Sequence, residues 1–217
     1  YKPACLHGVT FEAAHAQQAR QRLGERATIW CADAVEWLKN SVDTYDTVLA
    51  LDCAYHFSDR ADFMRTASQR LAPGGTLALV DLVGAWPYPA WLTPAPSVPA
   101  PSGPPTVWER VQHYVICKLS RANPHAFISF DAYRALLHEA HLDVVDVRDI
   151  SHDVFPGFAA FLQGLGVHDR AWRGGSVWQR WALRAFGSVV QKWAHGGDTG
   201  HVRCSLWVAR KAQAQNT

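Results

Sequence analysis

The sequence predicts an α/β fold built around a doubly wound, mostly parallel sheet. Short apolar runs alternate with helix-forming segments, and residues 45–52 (YDTVLALD) form an apolar run typical of a parallel strand covered on both faces. Three of these runs end in an aspartate: Asp33, Asp52 and Asp81. Because such sheets bind ligands at the carboxyl ends of their strands, these aspartates mark the expected edge of a ligand site.

The first part of the chain holds four strands separated by helices. Gly24 is a suitable end for the first helix, the Ser-Asp pair at 58–59 can cap the third, and the Pro-Gly-Gly at 73–75 forms a turn. These signals predict strands at residues 4–11, 27–33, 45–52 and 76–83, and helices at residues 12–23, 34–40 and 59–71.

Two insertions interrupt this alternation in the rest of the chain. Eight of the twelve prolines lie between Pro87 and Pro105, and proline fixes φ and removes a backbone donor, so this stretch is a long loop. We expect one domain, 1–217, in which the insertions 84–128 and 152–200 form a substrate lid. The remaining patterns predict helices at residues 106–120, 130–141, 156–166 and 176–194, with Ser129 as an N-cap, and strands at residues 142–150 and 201–211.

Composition excludes several classes of protein. Lysine and arginine total 21 against 19 aspartate and glutamate, so the net charge of +2 gives no electrostatic footprint for nucleic acid. The sequence contains no run of about 18 apolar residues, so no helix is expected to span a membrane. The five cysteines lack a C-x-x-C motif, and we expect them to be reduced core residues of an intracellular, cytoplasmic protein, with Cys5, Cys53 and Cys204 in strand-like runs.

Four segments, in order, resemble a class I S-adenosylmethionine-dependent methyltransferase of the small-molecule or lipid type. They are HGVTFEAAHAQQAR (7–20), CADAVEWL (31–38), YDTVLALDCAYHF (45–57) and RLAPGGTLALVDL (70–82). The last two are the most specific, because both their spacing and their content fit the family. Residues 129–151 and 201–211 are similar to the family's later helix and strands, whereas the proline loop and residues 152–200 have no counterpart.

The resemblance implies a Rossmann-like fold with an antiparallel last strand and S-adenosyl-L-methionine as cofactor. Asp33 would accept a hydrogen bond from the adenine amino group while Ala34 donates its backbone N–H; the alternative role of Asp33 is to cap the helix at 34–40. Thr10 stands where most members bind ribose with Asp or Glu. The implied cofactor-binding residues are Thr10, Phe11, Asp33, Ala34, Asp52 and Cys53.

His56 and Tyr55 are the candidate catalytic residues. His56 lies four residues after Asp52, where substrate would approach, and an imidazole can take the proton that an attacking O or N releases. Tyr55 would orient that nucleophile. The alternatives are packing and helix capping for the pair, and a solvated strand-end carboxylate for Asp52. The other histidines show no metal-ligand spacing, so no metal site is expected.

One departure from the family pattern leaves two functions open. No glycine-rich loop precedes Gly8, so we expect a chain that begins inside a longer protein and a sheet that lacks its first strand. The first function is methyl transfer to O, N or C of a small, apolar or lipid-like acceptor. The alternative is an inactive, truncated methyltransferase-like domain that serves as a binding module.

The tryptophan-rich helix at 176–194 has three interpretations. With the Trp-bearing proline loop it could enclose an apolar acceptor, it could pack in the core, or it could touch a membrane surface peripherally. The sequence leaves the oligomeric state undetermined.

Overall fold

The computed structural model describes residues 3–93, 99–120, 122–164, 177–196 and 200–213. Its strands are β1 (His7–Thr10), β2 (Thr28–Cys31), β3 (Tyr45–Leu51), β4 (Leu71–Gly84), β5 (Leu142–Asp149) and β6 (Val202–Lys211). Its helices are α1 (Ala13–Leu23), α2 (Ala34–Asn40), α3 (Arg60–Arg70), α4 (Val107–Ser120), α5 (Phe130–Glu139), α6 (Ser151–Gly164) and α7 (Val177–His195). Strands and helices alternate up to β4, which confirms the predicted α/β class.

The strands form two sheets. β1 and β2 pair in parallel, and the other four strands follow the order β3–β4–β6–β5. β3 and β4 are parallel, whereas β6 runs antiparallel to both of its neighbours. The mostly parallel sheet with an antiparallel last strand is therefore confirmed.

Backbone pairing is interrupted between β1 and β3. In the described part of the chain these two strands belong to separate sheets, as expected if the family's first strand is missing between them. Leu49 and Leu51 of β3 are 62% and 59% exposed, so apolar surface lies open on this strand. The predicted interruption is thus confirmed.

Aromatic side chains connect the two sheets instead. The Nδ1 atom of His7, at the start of β1, lies 3.0 Å from the hydroxyl of Tyr45, at the start of β3. Trp30 and Trp37 complete the cluster, with the Trp30 ring centroid 4.8 Å from that of His7. The amino ends of β1 and β3 therefore meet through these side chains.

The core has two layers, one on each face of the four-stranded sheet. Successive residues of a strand point to opposite faces, so Leu77 and Leu79 of β4 face one layer while Val80 and Leu82 face the other. α2, α3 and α5 build the first layer, and α6 and α7 build the second. The doubly wound pattern therefore holds.

Local sequence signals set several helix ends. The side chains of Asp33, Asp59 and Ser129 cap α2, α3 and α5 by accepting backbone N–H hydrogen bonds. Gly24 ends α1 with a φ of 54°, a value that favours glycine. These caps lie where the sequence predicts them.

The start of α6 corrects the sequence prediction. The helix begins at Ser151, five residues before the expected start at Pro156, because the carbonyl of Ile150 accepts the N–H groups of Asp153 and Val154. Pro156 lies inside the helix, where it removes one hydrogen bond.

The expected turn at residues 73–75 is an irregularity within β4. Tyr45 pairs with Leu71, and the register shifts before Thr47 pairs with Thr76. The strand therefore starts five residues earlier than the sequence predicts, because pairing with β3 continues on both sides of the Pro-Gly-Gly segment.

The cysteines depart from expectation at two positions. All five are free thiols, but Cys5 and Cys31 are exposed, whereas Cys117 and Cys204 are buried. The prediction that the cysteines are core residues is wrong for Cys5 and Cys31, because Cys5 precedes the short β1 and Cys31 ends the two-stranded sheet.

The two insertions carry α4 and most of α6 and α7. Trp181 on α7 is exposed, while the side chain of Trp178 lies outside the described residues. Within the described segments, every helix is too short or too polar to cross a membrane.

Candidate functional site

The expected cofactor residues follow the first three strands. Thr10 is the last residue of β1, Asp33 comes two residues after β2, and Asp52 directly follows β3. Thr10 and Asp33 therefore lie at the carboxyl end of the β1–β2 sheet, and Asp52 lies at the carboxyl end of β3 in the four-stranded sheet. The carboxyl ends of parallel strands are where doubly wound sheets bind ligands.

Asp33 has one carboxylate oxygen committed to the fold and one available. Its Oδ1 accepts the backbone N–H groups of Val35 and Glu36, both at 2.9 Å. No donor among the described residues bonds to Oδ2, and the residue is exposed. The helix-cap role is therefore real, and it leaves an acceptor oxygen for the amino group of a ligand.

Thr10, Phe11 and Ala34 add both polar and apolar groups to this end of the site. The Thr10 hydroxyl accepts only a long bond, 3.4 Å, from the backbone N–H of Glu12. Phe11 is 77% exposed, and Ala34 is the first residue of α2. An exposed ring beside a hydroxyl and a carboxylate suits a ligand with a flat base and sugar hydroxyls.

Asp52, Tyr55 and His56 lie together on the turn after β3. Asp52 has a φ of 54°, in the left-handed region, and its N–H donates to the carbonyl of Val80 at 2.7 Å. Residues Ala54–His56 form one 3₁₀ turn, in which the Tyr55 and His56 ring centroids are 4.2 Å apart. The structure thus places the three predicted chemical groups on one turn at the carboxyl end of β3.

The protonation of these groups follows from their surroundings. Partial desolvation raises the pKa of Asp52, although the Tyr55 hydroxyl and the charge of His56 oppose it. Burial, followed by the charge of Asp52, raises the pKa of Tyr55, so Tyr55 is a neutral hydrogen-bond donor at pH 7. Burial also raises the pKa of Cys53 to about 11, which keeps that thiol protonated.

A buried ion pair anchors the turn. Arg60 Nε lies 3.1 Å from Asp81 Oδ2, and the two side chains are 6% and 0% exposed. Asp81 also accepts the backbone N–H of Tyr55 at 3.1 Å and the hydroxyl of Tyr133 at 3.0 Å. Burial raises the pKa of Asp81 to about 6, although Arg60 and Tyr133 lower it.

The expectation that Asp81 ends its strand at the ligand edge is wrong, because β4 continues to Gly84 and the Asp81 side chain is fully buried. Its partners could not be predicted from the sequence. Arg60 starts α3 and Tyr133 lies in α5, 52 residues beyond Asp81. The local sequence indicates only that Asp81 lies in an apolar strand. A carboxylate buried there needs hydrogen-bonding or charged partners, but the strand does not identify them.

Aromatic contacts link the turn to α4. The Phe127 ring lies 6.0 Å from that of Tyr55 and 4.6 Å from the His113 ring on α4. The exposed side of α4 carries a stripe of large apolar side chains: Val107, Trp108, Val111, Tyr114 and Val115. An apolar surface therefore lies on the helix that contacts the site.

Family and sequence comparisons point to one class of enzyme. The family described as "Methyltransferase domain" matches residues 3–79. Methyltransferase GfsG of Streptomyces halstedii is 28% identical over 159 residues, which cover 72% of this chain and 49% of that protein. The 27-O-demethylrifamycin SV methyltransferase of Amycolatopsis mediterranei is 29% identical over 170 residues, covering 76% of this chain and 55% of that protein. The chain thus spans about half the length of these curated relatives.

A solved structure shares the fold. The O-methyltransferase from the trans-AT PKS multienzyme of Brevibacillus brevis, in complex with S-adenosyl-L-homocysteine, matches with a TM-score of 0.59 at 17% identity. The match covers 96% of this chain and 59% of that one. By this fold, the family match over residues 3–79 and the interrupted Rossmann-like sheet, the chain is similar to the class I S-adenosylmethionine-dependent methyltransferases.

Proposed function

We propose that this chain carries out S-adenosylmethionine-dependent methyl transfer to a hydroxyl oxygen of a small, apolar metabolite. The observation that carries the proposal is the turn after β3, where a carboxylate, a phenol and an imidazole lie together at the carboxyl end of the strand. The names of the relatives support an oxygen acceptor, since one acts on 27-O-demethylrifamycin SV and the solved neighbour is an O-methyltransferase.

The residues at the ends of β1 and β2 fit the adenosine part of the cofactor. Asp33 Oδ2 would accept the adenine amino group, the Ala34 N–H would bond to the ring, and the Thr10 hydroxyl would bond to a ribose hydroxyl. When bound, the cofactor supplies a methyl group already activated on a sulfonium. The protein therefore contributes mainly positioning and exclusion of water.

In this proposal, residues of the turn after β3 bind the acceptor hydroxyl and remove its proton. Tyr55, a neutral donor, hydrogen-bonds the acceptor oxygen and orients its lone pair. The exposed His56 ring takes the hydroxyl proton as the oxygen is methylated and then releases it to solvent. The carboxylate of Asp52 stabilises the imidazolium that forms.

Apolar side chains on α4 support an apolar acceptor. The stripe from Val107 to Val115 belongs to the helix whose His113 reaches the site through Phe127. The insertions 84–128 and 152–200 remain the proposed substrate lid, and the apolar stripe of α4 supports the first of them. The exposed Arg110 and Lys118 on the same helix support a second candidate partner, a peripheral membrane surface.

The test is a methylation assay on a panel of hydroxylated rifamycin-like and macrolide-like compounds, with S-adenosylhomocysteine release as the readout. We expect His56→Ala to lower turnover by about 100-fold, because positioned acid–base groups contribute about that much. S-adenosylhomocysteine affinity should stay within about twofold, since His56 serves the acceptor side. The matched control is His15→Ala, an exposed histidine on α1, which should leave both values unchanged.

Two outcomes would contradict the proposal. Turnover of His56→Ala within about twofold of the parent chain would remove His56 from proton transfer. Binding of S-adenosylhomocysteine without turnover on any acceptor would favour the alternative function, an inactive binding module.

A further inference from the structure

A second group of reactive side chains lies at the amino edge of the sheets, opposite the proposed methyl-transfer site. Cys5 Sγ lies 3.1 Å from His7 Nε2. On its other side, His7 Nδ1 lies 3.0 Å from the Tyr45 hydroxyl and 3.7 Å from Asp43 Oδ2. A nucleophile, a base and groups that orient the base are thus arranged in sequence.

The surroundings of His7 fix which nitrogen faces the thiol. The rings of Trp30, Trp37 and Tyr45 stand nearly perpendicular to the imidazole, with centroids between 4.8 and 6.2 Å away. Its side chain is only 17% exposed, so the ring has little room to turn. When Nδ1–H donates to Tyr45, the lone pair of Nε2 is directed at the Cys5 thiol.

The other four cysteines lack this combination. Burial raises the pKa of Cys53 and Cys117 to about 11 and that of Cys204 to about 12, so these thiols stay protonated. Cys31 is exposed like Cys5, but its Sγ donates to the carbonyl of Phe11 at 3.6 Å and has no basic partner there. Among the five cysteines, all within the described residues, Cys5 joins exposure to an imidazole acceptor.

We propose that Cys5 is a thiol–disulfide exchange site that low-molecular-weight disulfides modify. His7 Nε2 takes the thiol proton, and the Cys5 thiolate attacks one sulfur of the disulfide. As the new S–S bond forms, the old one breaks, and the departing thiolate takes the proton from His7. The products are a mixed disulfide on Cys5 and one free small thiol, so no further oxidant is needed.

A nearby charge favours the first step. The carboxylate of Asp43 lies 3.7 Å from His7 Nδ1, close enough to stabilise the imidazolium that forms when His7 takes the thiol proton. Cys5 is exposed, so a small disulfide can reach its thiol. This inference does not depend on the proposed methyl transfer.

The test treats the 217-residue chain with oxidised glutathione, and separately with the aromatic disulfide 5,5′-dithiobis(2-nitrobenzoate). Mass spectrometry of peptides follows Cys5 and Cys31 in the same molecule. We expect Cys5 to react about tenfold faster than Cys31, because a thiol with a nearby base is the better nucleophile. His7→Gln should bring the Cys5 rate to within about twofold of the Cys31 rate.

A surface variant keeps the proposal testable if His7→Gln fails to fold. Asp43→Asn changes an exposed carboxylate and should slow Cys5 by about threefold, whereas Asp46→Asn, an exposed matched control, should not change the rate. Equal rates for Cys5 and Cys31 in the parent chain would overturn the proposal. So would an unchanged Cys5 rate in both His7→Gln and Asp43→Asn.

Discussion

At the scale of single residues, Asp33 serves the fold and the proposed function with separate oxygens. Oδ1 caps α2, and Oδ2 is the proposed acceptor for the adenine amino group. Alanine removes both oxygens. Asparagine keeps one oxygen for the cap and replaces the other with an amide that cannot accept a hydrogen bond.

The two substitutions at Asp33 should therefore separate binding from stability. We expect Asp33→Asn to weaken S-adenosylhomocysteine binding by about tenfold or more, since a hydrogen bond to a charged acceptor is worth on the order of 1.5–3 kcal/mol. Asp33→Ala should weaken binding similarly and also cost about 1 kcal/mol of unfolding free energy through the lost cap.

Calorimetry and urea unfolding make these measurements. Binding is measured on an extended chain, which carries at its amino end a further strand followed by a glycine-rich loop of the family pattern. Parent-like affinity of Asp33→Asn would leave Asp33 as a helix cap alone.

The pair Arg60 and Asp81 gives a second residue-scale prediction. Arg60→Met leaves the fully buried Asp81 carboxylate without its cation, which should cost on the order of 3 kcal/mol of unfolding free energy. Adding Asp81→Asn removes the unpaired charge and should recover part of that loss. Urea unfolding of the two variants measures both effects, and equal stability of the single and double variants would contradict the assignment.

The residues proposed to carry out the chemistry could be predicted from the sequence, whereas the residues that hold their turn in place could not. Asp52, Tyr55 and His56 are close in sequence, so spacing alone placed them on one turn. Arg60 and Tyr133 reach Asp81 from α3 and α5, and that contact depends on how the helices pack on the sheet. The exposure of Cys5 could not be predicted either, because β1 begins only at His7 and leaves Cys5 outside the strand.

At the scale of elements, α4 begins with a reciprocal cap. The backbone N–H and hydroxyl of Thr106 donate to Glu109 Oε2 at 2.8 and 2.7 Å, and the Glu109 N–H donates to Thr106 Oγ1 at 3.3 Å. His201 Nε2, just before β6, lies 3.3 Å from the same carboxylate oxygen. The cap therefore also ties α4 to the sheet.

Acid should release this cap. Partial burial alone would raise the pKa of Glu109, but bonds from Thr106 and the nearby His201 outweigh it and hold that pKa below its ordinary value. A lowered folded-state pKa means that the stabilisation is complete above the unfolded value and is lost as the pH falls through the folded value. We expect the first turn of α4 to loosen only as the pH falls below the ordinary glutamate pKa of about 4.3, as seen in amide chemical shifts.

Glu109→Gln should abolish this acid transition, and Glu139→Gln, an exposed matched control on α5, should leave it intact. Thr106→Ala should cost about 1 kcal/mol of unfolding free energy. An α4 whose amide shifts do not change between pH 6 and pH 3 would contradict the assigned role of Glu109.

Most elements followed from local sequence signals. Alternating apolar runs and the caps at Asp33, Asp59 and Ser129 are encoded within a few residues. The early start of α6 could not be predicted in this way. Proline favours the first position of a helix, so Pro156 looks like a helix start. The hydrogen bonds that the carbonyl of Ile150, directly after β5, accepts at the true start become visible only in the structure. The length of β4 likewise depended on its pairing with β3.

At the scale of the whole molecule, the main feature is the boundary between the β1–β2 sheet and the four-stranded sheet. β1 and β3 share side-chain contacts through His7 and Tyr45 but no backbone pairing in the described residues. Leu49 and Leu51 stay exposed on β3. A parallel strand inserted here would satisfy both strand edges, and its helix would cover apolar surface worth about 25 cal/mol per Å² buried.

We therefore expect the 217-residue chain to bind S-adenosylhomocysteine at least about tenfold more weakly than the extended chain, because the cofactor's methionine end lacks the close backbone N–H groups that a glycine-rich loop provides. Calorimetry compares the two chains, and thermal unfolding should show the extended chain to be more stable. A matched extension whose loop glycines are alanine separates the two effects: it should keep the gain in stability, since strand pairing is intact, and lose the gain in affinity. Equal, micromolar binding by the short and extended chains would show that the residues after β1, β2 and β3 hold the cofactor without that loop.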